Sequence, residues 1–235
     1  HLKRLNSSLF KLKMKSPLSE GALRQIMARL TRLNRLKTGT IYIQITRGVA
    51  RREHSFPKHS LASLVMTVKH MSLDTGRQLA GKSAITVPDQ RWDRRDIKTI
   101  QLLPNCLAKQ AASEKGAYEA IMVMPDGTVS EGSSSNVWIL NDENQLITRQ
   151  PDEDILNGIT RQSIQRIASE RQLEIVERSF SVDEMMQAKE VFVTSATSMV
   201  TALTHIDGKK IDKGKVGLIA SALKADYVKY VESCS

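Results

Sequence analysis

Residues 119–140 read EAIMVMPDGTVSEGSSSNVWIL, and this stretch decides the fold class. Glu119 to Met124 is a short apolar run of strand character. Pro125-Asp126-Gly127 then makes a turn: proline presets φ, aspartate bonds back to the backbone, and glycine accepts positive φ. TVSEG continues beyond the turn, and Val137 to Leu140 is a further strand. Strands that follow one another through tight turns, without a helix between each pair, point to a mixed sheet rather than a doubly wound parallel one.

Toward the C-terminus, Asn141 to Asn144 turns a hairpin, and Thr160 to Gln172 has helical spacing directly after Gly158. Ser181 caps a short helix before the strand VFVTS, Val200 to Ile206 is the last strand, and Leu218 to Val231 is the closing helix. Toward the N-terminus, Leu102 to Lys115 is a helix that Gly116 closes in the left-handed conformation, preceded by the basic string RWDRRDIK and a strand at Ala84 to Val87. HMSLDTGRQLAGKS is polar and carries two glycines, which predicts a linker. Upstream lie strands at Thr40 to Thr46 and Leu64 to Val68, and a helix from Leu18 to Leu36 with Ser19 as cap. The expected organisation is a small α/β domain over residues 1–71 and a larger one over 72–235.

The chain has 235 residues, 40% of them hydrophobic, enough for a core in one large or two small domains. Lysine and arginine exceed aspartate and glutamate by 35 to 25, a formal charge of +10. Nucleic acid, a membrane surface, anionic small molecules or a merely solvated basic surface are all compatible with that excess. The 4 Phe, 4 Tyr and 2 Trp are scattered rather than interleaved with the basic residues, which argues against nucleic acid. Cys106 and Cys234 make no disulfide framework and have no partners at metal-ligand spacing, so a reducing, cytoplasmic setting and no metal are expected. No apolar run spans a bilayer, and HLKRLNSSLFKLKMK lacks a signal-peptide core. A start at His1 rather than Met leads us to expect an earlier segment.

Several groups could carry chemistry. Arg52 and His54 stand two apart in RGVARREHSFP, so in an extended segment both point one way and can grip a carboxylate; an ordinary solvated loop is the plain alternative. Gly158, Ile159 and Thr160 open a helix whose N–H groups attract an anion such as phosphate, or simply form a helix cap. Ser195, Ala196, Thr197 and Ser198 end a strand with small and hydroxyl side chains, which suits a second phosphate contact or a plain polar strand end. Glu131 sits in SEGSSSN, where a lone glutamate is ordinarily exposed. Spacing does not choose between Lys98 and Lys109 as a nucleophile. A reactive amine must be neutral, hence desolvated or crowded by cations, and Arg91, Arg94 and Arg95 favour Lys98; a basic surface patch is the simpler alternative.

Together TGTIYIQITRGVARREHSFP, RWDRRDIKTIQLLPN, LAKQAA, EAIMVMPDGTVSEGSSSNVWI, ILNGITRQ, EVFVTSATS and IDGKKIDKGKVG resemble the class IV aminotransferases, most of all those acting on D-amino acids. The resemblance runs in order through nearly the whole chain. It implies a mixed α+β, two-domain enzyme of pyridoxal-phosphate fold type IV, working as a homodimer without nucleic acid or membrane partners. Its activity would be transamination between a D-amino acid such as D-alanine and a 2-oxo acid. By resemblance, Lys98 carries pyridoxal 5'-phosphate as a Schiff base, leaving Lys109 structural, and Glu131 contacts the ring nitrogen. Arg4, in HLKRL, would hold the phosphate together with Ile159, Thr160, Ala196 and Thr197. Arg52 and His54 would bind the substrate carboxylate across the dimer interface.

This chain departs from the family's pattern in three places. Ala196 stands where relatives usually have Thr, which keeps a backbone N–H but loses a hydroxyl bond worth roughly 0.5–1.5 kcal/mol. Met199 stands where transaminases of the group usually carry Glu, and the two changes tilt the loop toward the related aminodeoxychorismate lyases, which make 4-aminobenzoate and pyruvate. Those lyases, however, typically show a glycine-rich loop in place of the Arg52 and His54 pair. The resemblance also implies opening strands and a tyrosine-bearing segment before HLKRL, so the first domain is expected to be incomplete and the isolated 1–235 chain to bind cofactor poorly. A catalytically inert basic binding protein on the same scaffold is the reading from another class.

Overall fold

The computed structural model describes residues 1–72 and 79–233, and contacts divide the chain into His1–Asp74 and Thr75–Ser235. Residues 73–78 of the expected linker, and Cys234, lie outside the described residues.

The first unit holds α1 (Leu2–Lys11), α2 (Glu20–Leu33), β1 (Gly39–Thr46) and β2 (Ser63–His70). The string HLKRL, read only as a motif, is the start of a helix on which Leu2, Leu5 and Leu9 recur at helical spacing. Ser19 caps α2 as expected, its hydroxyl accepting from the Ala22 N–H at 3.2 Å. β1 and β2 pair antiparallel, with Ile43 opposite Met66. Between them residues 47–62 form no strand, and Arg47 stacks over the Phe56 ring at 3.6 Å.

The second unit is built on a nine-stranded mixed sheet in the order β5-β4-β3-β10-β9-β6-β7-β8, with β11 (Lys209–Lys210) on β10. Its strands are β3 (Lys82–Pro88), β4 (Glu119–Val123), β5 (Val129–Gly132), β6 (Asn136–Leu140), β7 (Leu146–Thr148), β8 (Ile175–Glu177), β9 (Glu190–Ser195) and β10 (Met199–Ile206). Three pairings are parallel, β3 with β4, β3 with β10 and β7 with β8; the rest are antiparallel.

β5 and β6 stand five places apart in that order, yet only Ser133 to Ser135 join them. Five strand spacings span about 24 Å in a flat sheet. Four peptide steps reach only about 14 Å. The sheet therefore curls until its β5 edge comes round to β6, and the Gly132 N–H donates to the Ser135 carbonyl at 2.7 Å across that closure.

Both faces of the central strands are buried, and the side chains alternate between them as a strand requires. Val137, Ile139, Ile147, Val191 and Val193 enter one cluster with Met185 of α5 (Val182–Gln187). Trp138, Leu146 and Phe192 point the other way, against α4 (Ile159–Glu170) and α6 (Leu218–Ser233). The Trp138 and Phe192 rings stack 5.8 Å apart. Aromatic side chains so enclosed contribute roughly 3–5 kcal/mol each. A third cluster seats α3 (Leu103–Glu114) on β3 and β4 through Ala108, Ala112, Ile85 and Met122. Gly116 closes α3 at φ +66°, the left-handed value that glycine adopts without strain. The start of β6 is thus clamped between two layers, and the groups beside it inherit that rigidity.

Candidate active site

Glu131 is buried at the end of β5. Three donors and no acceptor converge on its two oxygens: Arg91 Nη1 on Oε1, and on Oε2 Asn136 Nδ2 at 3.0 Å and the Leu156 N–H at 3.1 Å. Donors of that kind favour the carboxylate, whereas burial favours the neutral acid. Burial dominates and pushes the pKa up to about 7, with Asp89 adding to the rise while Arg91 and the Leu156 N–H oppose it.

Asn136 joins this carboxylate to the neighbouring elements. Its Nδ2 also donates to the Leu156 carbonyl at 2.9 Å, and it lies opposite Thr194 in the register of β6 with β9. β9 ends one residue later, so the turn Ser195 to Ser198 emerges beside the start of β6. A Cβ on Gly158 would stand 2.3 Å from Asn136 Oδ1; only glycine lets the start of α4 approach so closely. Gly158 is the N-cap of α4, with no side chain capping it. The N–H groups of Ile159 and Thr160 thus open the same corner, and Thr160 itself is buried. In the strand-end turn the Ser195 hydroxyl accepts from the Ser198 N–H at 3.2 Å, and Ala196 and Thr197 are exposed. Met199, which follows, is buried with φ +57°.

Lys98 is exposed, in a segment without regular structure between β3 and α3. That segment is pinned on both sides to the same corner: Arg91 binds Glu131, and Asn105 Nδ2 of α3 donates to the Ser133 carbonyl at 2.9 Å. The cationic crowding expected around Lys98 is corrected by the ion pairing. Arg91 binds Asp89 at 2.7 Å as well as Glu131, Arg95 binds Asp154 at 2.9 Å, and Arg94 binds Asp96 at 3.0 Å, so each guanidinium charge is already matched. Lys109 is engaged elsewhere: Nζ donates to the Tyr118 carbonyl and lies 4.8 Å from the Tyr118 ring centroid.

The structure brings Glu131, Ile159, Thr160, Ala196 and Thr197 to one corner of the second unit and ties the Lys98 segment to it. Arg4, on α1, and Arg52 and His54, on the loop 47–62, belong to the first unit. The chain bends at Arg52 and again at His54, both exposed, so an extended segment's alternation does not set their directions. The sequence reading overlooked Asn136 and Asp89. The last residue of SEGSSSN and the Asp-x-Arg pair at 89–91 were the available signals. Also overlooked was buried Glu119, which accepts from the Ser133 hydroxyl, from the Ser135 hydroxyl at 2.8 Å and from the Ala120 N–H at 2.9 Å, bracing the turn that follows Glu131.

Chemically, the corner offers a buried carboxylate for a cationic ring N–H, a helix N-terminus and hydroxyls for an anion, and an amine on a tethered segment. Among the described residues no cluster of His, Cys, Asp or Glu could hold a metal ion, and no helix is long and apolar enough to cross a membrane.

The model of the family described as amino-transferase class IV matches residues 1–206. A D-alanine aminotransferase of Staphylococcus aureus (strain N315) is 41% identical over 212 residues, covering 90% of this chain and 74% of that protein. Another from Listeria monocytogenes (strain 10403S) is 37% identical, over 98% of this chain and 80% of its own length. Among solved structures, a T.th. branched-chain amino acid aminotransferase with pyridoxamine 5'-phosphate superposes with TM-score 0.91 at 25% identity, covering 100% of this chain and 79% of that one. A structure from Legionella pneumophila described as a putative 4-amino-4-deoxychorismate lyase, at 19% identity, TM-score 0.84 and coverage of 100% of this chain and 84% of that one, shares the fold.

Proposed function

The chain belongs to the class IV aminotransferases and is a pyridoxal-phosphate-dependent transaminase, and on that premise we propose that it exchanges an amino group between a D-amino acid such as D-alanine and a 2-oxo acid. The observation carrying the substrate class is the 41% identity to a D-alanine aminotransferase over 90% of the chain. The Arg52 and His54 pair supports it.

The residues present fit pyridoxal 5'-phosphate. Glu131, a buried carboxylate on which three donors and no acceptor converge, suits a protonated pyridine nitrogen. The Gly158 cap lets the open end of α4 face a phosphate, with the turn 195–198 beside it. Arg4 would add a guanidinium and Lys98 the covalent attachment through Nζ. When bound, the cofactor supplies an electron sink for the bond broken at the substrate α-carbon. Glu131 holds a proton at the ring nitrogen. Lys98 Nζ would take the proton from the substrate α-carbon and deliver it to the cofactor's C4′ carbon in the first half-reaction, and carry a proton the reverse way, from C4′ to the α-carbon, in the second. Arg52 and His54 orient the substrate carboxylate from the partner subunit of a homodimer. The setting is the cytoplasm, in keeping with the sparse cysteines.

The test is to supply the protein and pyridoxal phosphate with D-alanine and 2-oxoglutarate, and separately with aminodeoxychorismate. Pyruvate and glutamate from the first mixture, with ping-pong kinetics, are expected. Turnover of aminodeoxychorismate alone would replace this reading with the lyase.

A further inference from the structure

Glu131 is the inner end of a line of alternating charges. Arg91 bridges it to Asp89; Arg95 stands 3.3 Å from Asp89 and 2.9 Å from Asp154; Arg149 reaches Asp154 at 2.5 Å and Asp152 at 3.5 Å. Along this line four carboxylates alternate with three guanidinium groups, and the exposed Asp93 lies a further 4.0 Å from Arg95, so with Glu131 ionised negative groups outnumber positive ones. The far end, Asp152, is 32% exposed, whereas Asp89 is fully enclosed. A pair made only of Arg91 and Glu131 would be neutral and would offer little to a cationic ring.

We propose that Asp89, by sharing the Arg91 charge, sets how much negative charge Glu131 presents to the cofactor's ring nitrogen. The inference rests on the reading of Glu131 above and adds two positioning residues to it. Asp89 is held for that task. Its Oδ2 accepts from the Ser130 hydroxyl at 2.7 Å and from Arg91 Nη2 at 2.7 Å, and its Oδ1 accepts from the Arg91 N–H and Nε, each at 3.0 Å. Burial alone would lift the Asp89 pKa, yet these donors and the Arg91 charge hold it below the ordinary carboxylate range, so its charge persists where Glu131 titrates. The other groups on Glu131, Asn136 and the Leu156 N–H, are neutral donors that do not change charge with pH.

Two substitutions should act in opposite directions. Asp89→Asn leaves the whole Arg91 charge to Glu131, which then ionises more readily; Arg91→Gln removes the counter-charge, and Glu131 ionises less readily. A merely structural role predicts one direction for both, since either would loosen the same loop. The Glu131 carboxyl is followed by infrared titration of the full chain without cofactor, with Glu131→Gln as the baseline and circular dichroism to verify folding. From a wild-type midpoint of about 7, Asp89→Asn should fall and Arg91→Gln should rise, the latter by roughly one pH unit or more. Arg91→Lys should lie between wild type and Arg91→Gln, and it carries the test if Arg91→Gln does not fold. In a second arm, pyridoxal phosphate labelled with nitrogen-15 in the ring is loaded onto wild type and Asp89→Asn, and the ring should lose its proton at lower pH in the variant.

Shifts of the same sign, or an unmoved midpoint and ring nitrogen in Asp89→Asn, would overturn the proposal. If wild type takes up no cofactor, the transaminase reading falls while the infrared arm still decides the electrostatics. If the ring binds protonated but is indifferent to Asp89, the transaminase reading stands and this inference falls.

Discussion

Glu131 should make the cofactor-free chain less stable as the solution becomes less acidic, and the size of the effect follows from its burial. Its native pKa of about 7 lies above the unfolded value of 4.5, so between those limits the native chain binds the extra proton. The contribution is therefore fully present below pH 4.5 and lost as pH rises through about 7. Each pKa unit is worth about 1.4 kcal/mol, so the whole loss is about 3 kcal/mol. For a chain of this size that corresponds to about 6–12 °C in Tm. Glu131→Gln abolishes the titration. It also turns an amide N–H toward one of the three donors, a penalty that is the same at every pH. Urea unfolding of wild type and Glu131→Gln at pH 4.5, 5.5, 6.5 and 7.5, followed by tryptophan fluorescence, separates the two effects. The wild-type advantage should shrink steadily across the series by about 3 kcal/mol. Parallel stability profiles would refute the reasoning, because a Glu131 titrating in its ordinary range cannot generate the slope.

Three further outcomes are expected. Ala196→Thr restores a hydroxyl on the strand-end turn and should tighten pyridoxal phosphate roughly 2- to 12-fold, about 0.5–1.5 kcal/mol, in a fluorescence titration. Gly158→Ala places a methyl 2.3 Å from Asn136 Oδ1, so Asn136 must give way; equilibrium dialysis should show cofactor affinity falling by roughly tenfold or more. Arg52→Leu should raise the KM for D-alanine about 10- to 150-fold while the cofactor Kd stays within about twofold, and an equal loss of both would deny Arg52 its carboxylate role.

Much of the fold is legible locally, because local rules fixed it. The Ser19 hydroxyl, the alternation in TIYIQIT and the left-handed Gly116 each act within a few residues, and those elements stand where the spacing predicts. α1 was missed because its leucines were read through a basic motif. β8 and β11 were missed because strands of three and two residues are specified by their neighbours, not by their own pattern. The curl of the sheet depends on strand order, which no local pattern carries.

The candidate site divides the same way. The glycine before α4 and the hydroxyls after β9 announced themselves by position. The burial of Glu131 did not, since it is made by Arg91, Asn136 and Leu156 from three separate segments. The arginines before Lys98 misled for the same reason: their carboxylate partners include Glu131 and Asp154, far along the chain.

The account depends most on which amine carries the cofactor. Borohydride reduction of the protein loaded with pyridoxal phosphate, followed by digestion and peptide mass mapping, should place the reduced label on Lys98. A label on Lys109, whose Nζ is held by the Tyr118 carbonyl, or a chain that takes no label at all, would contradict it.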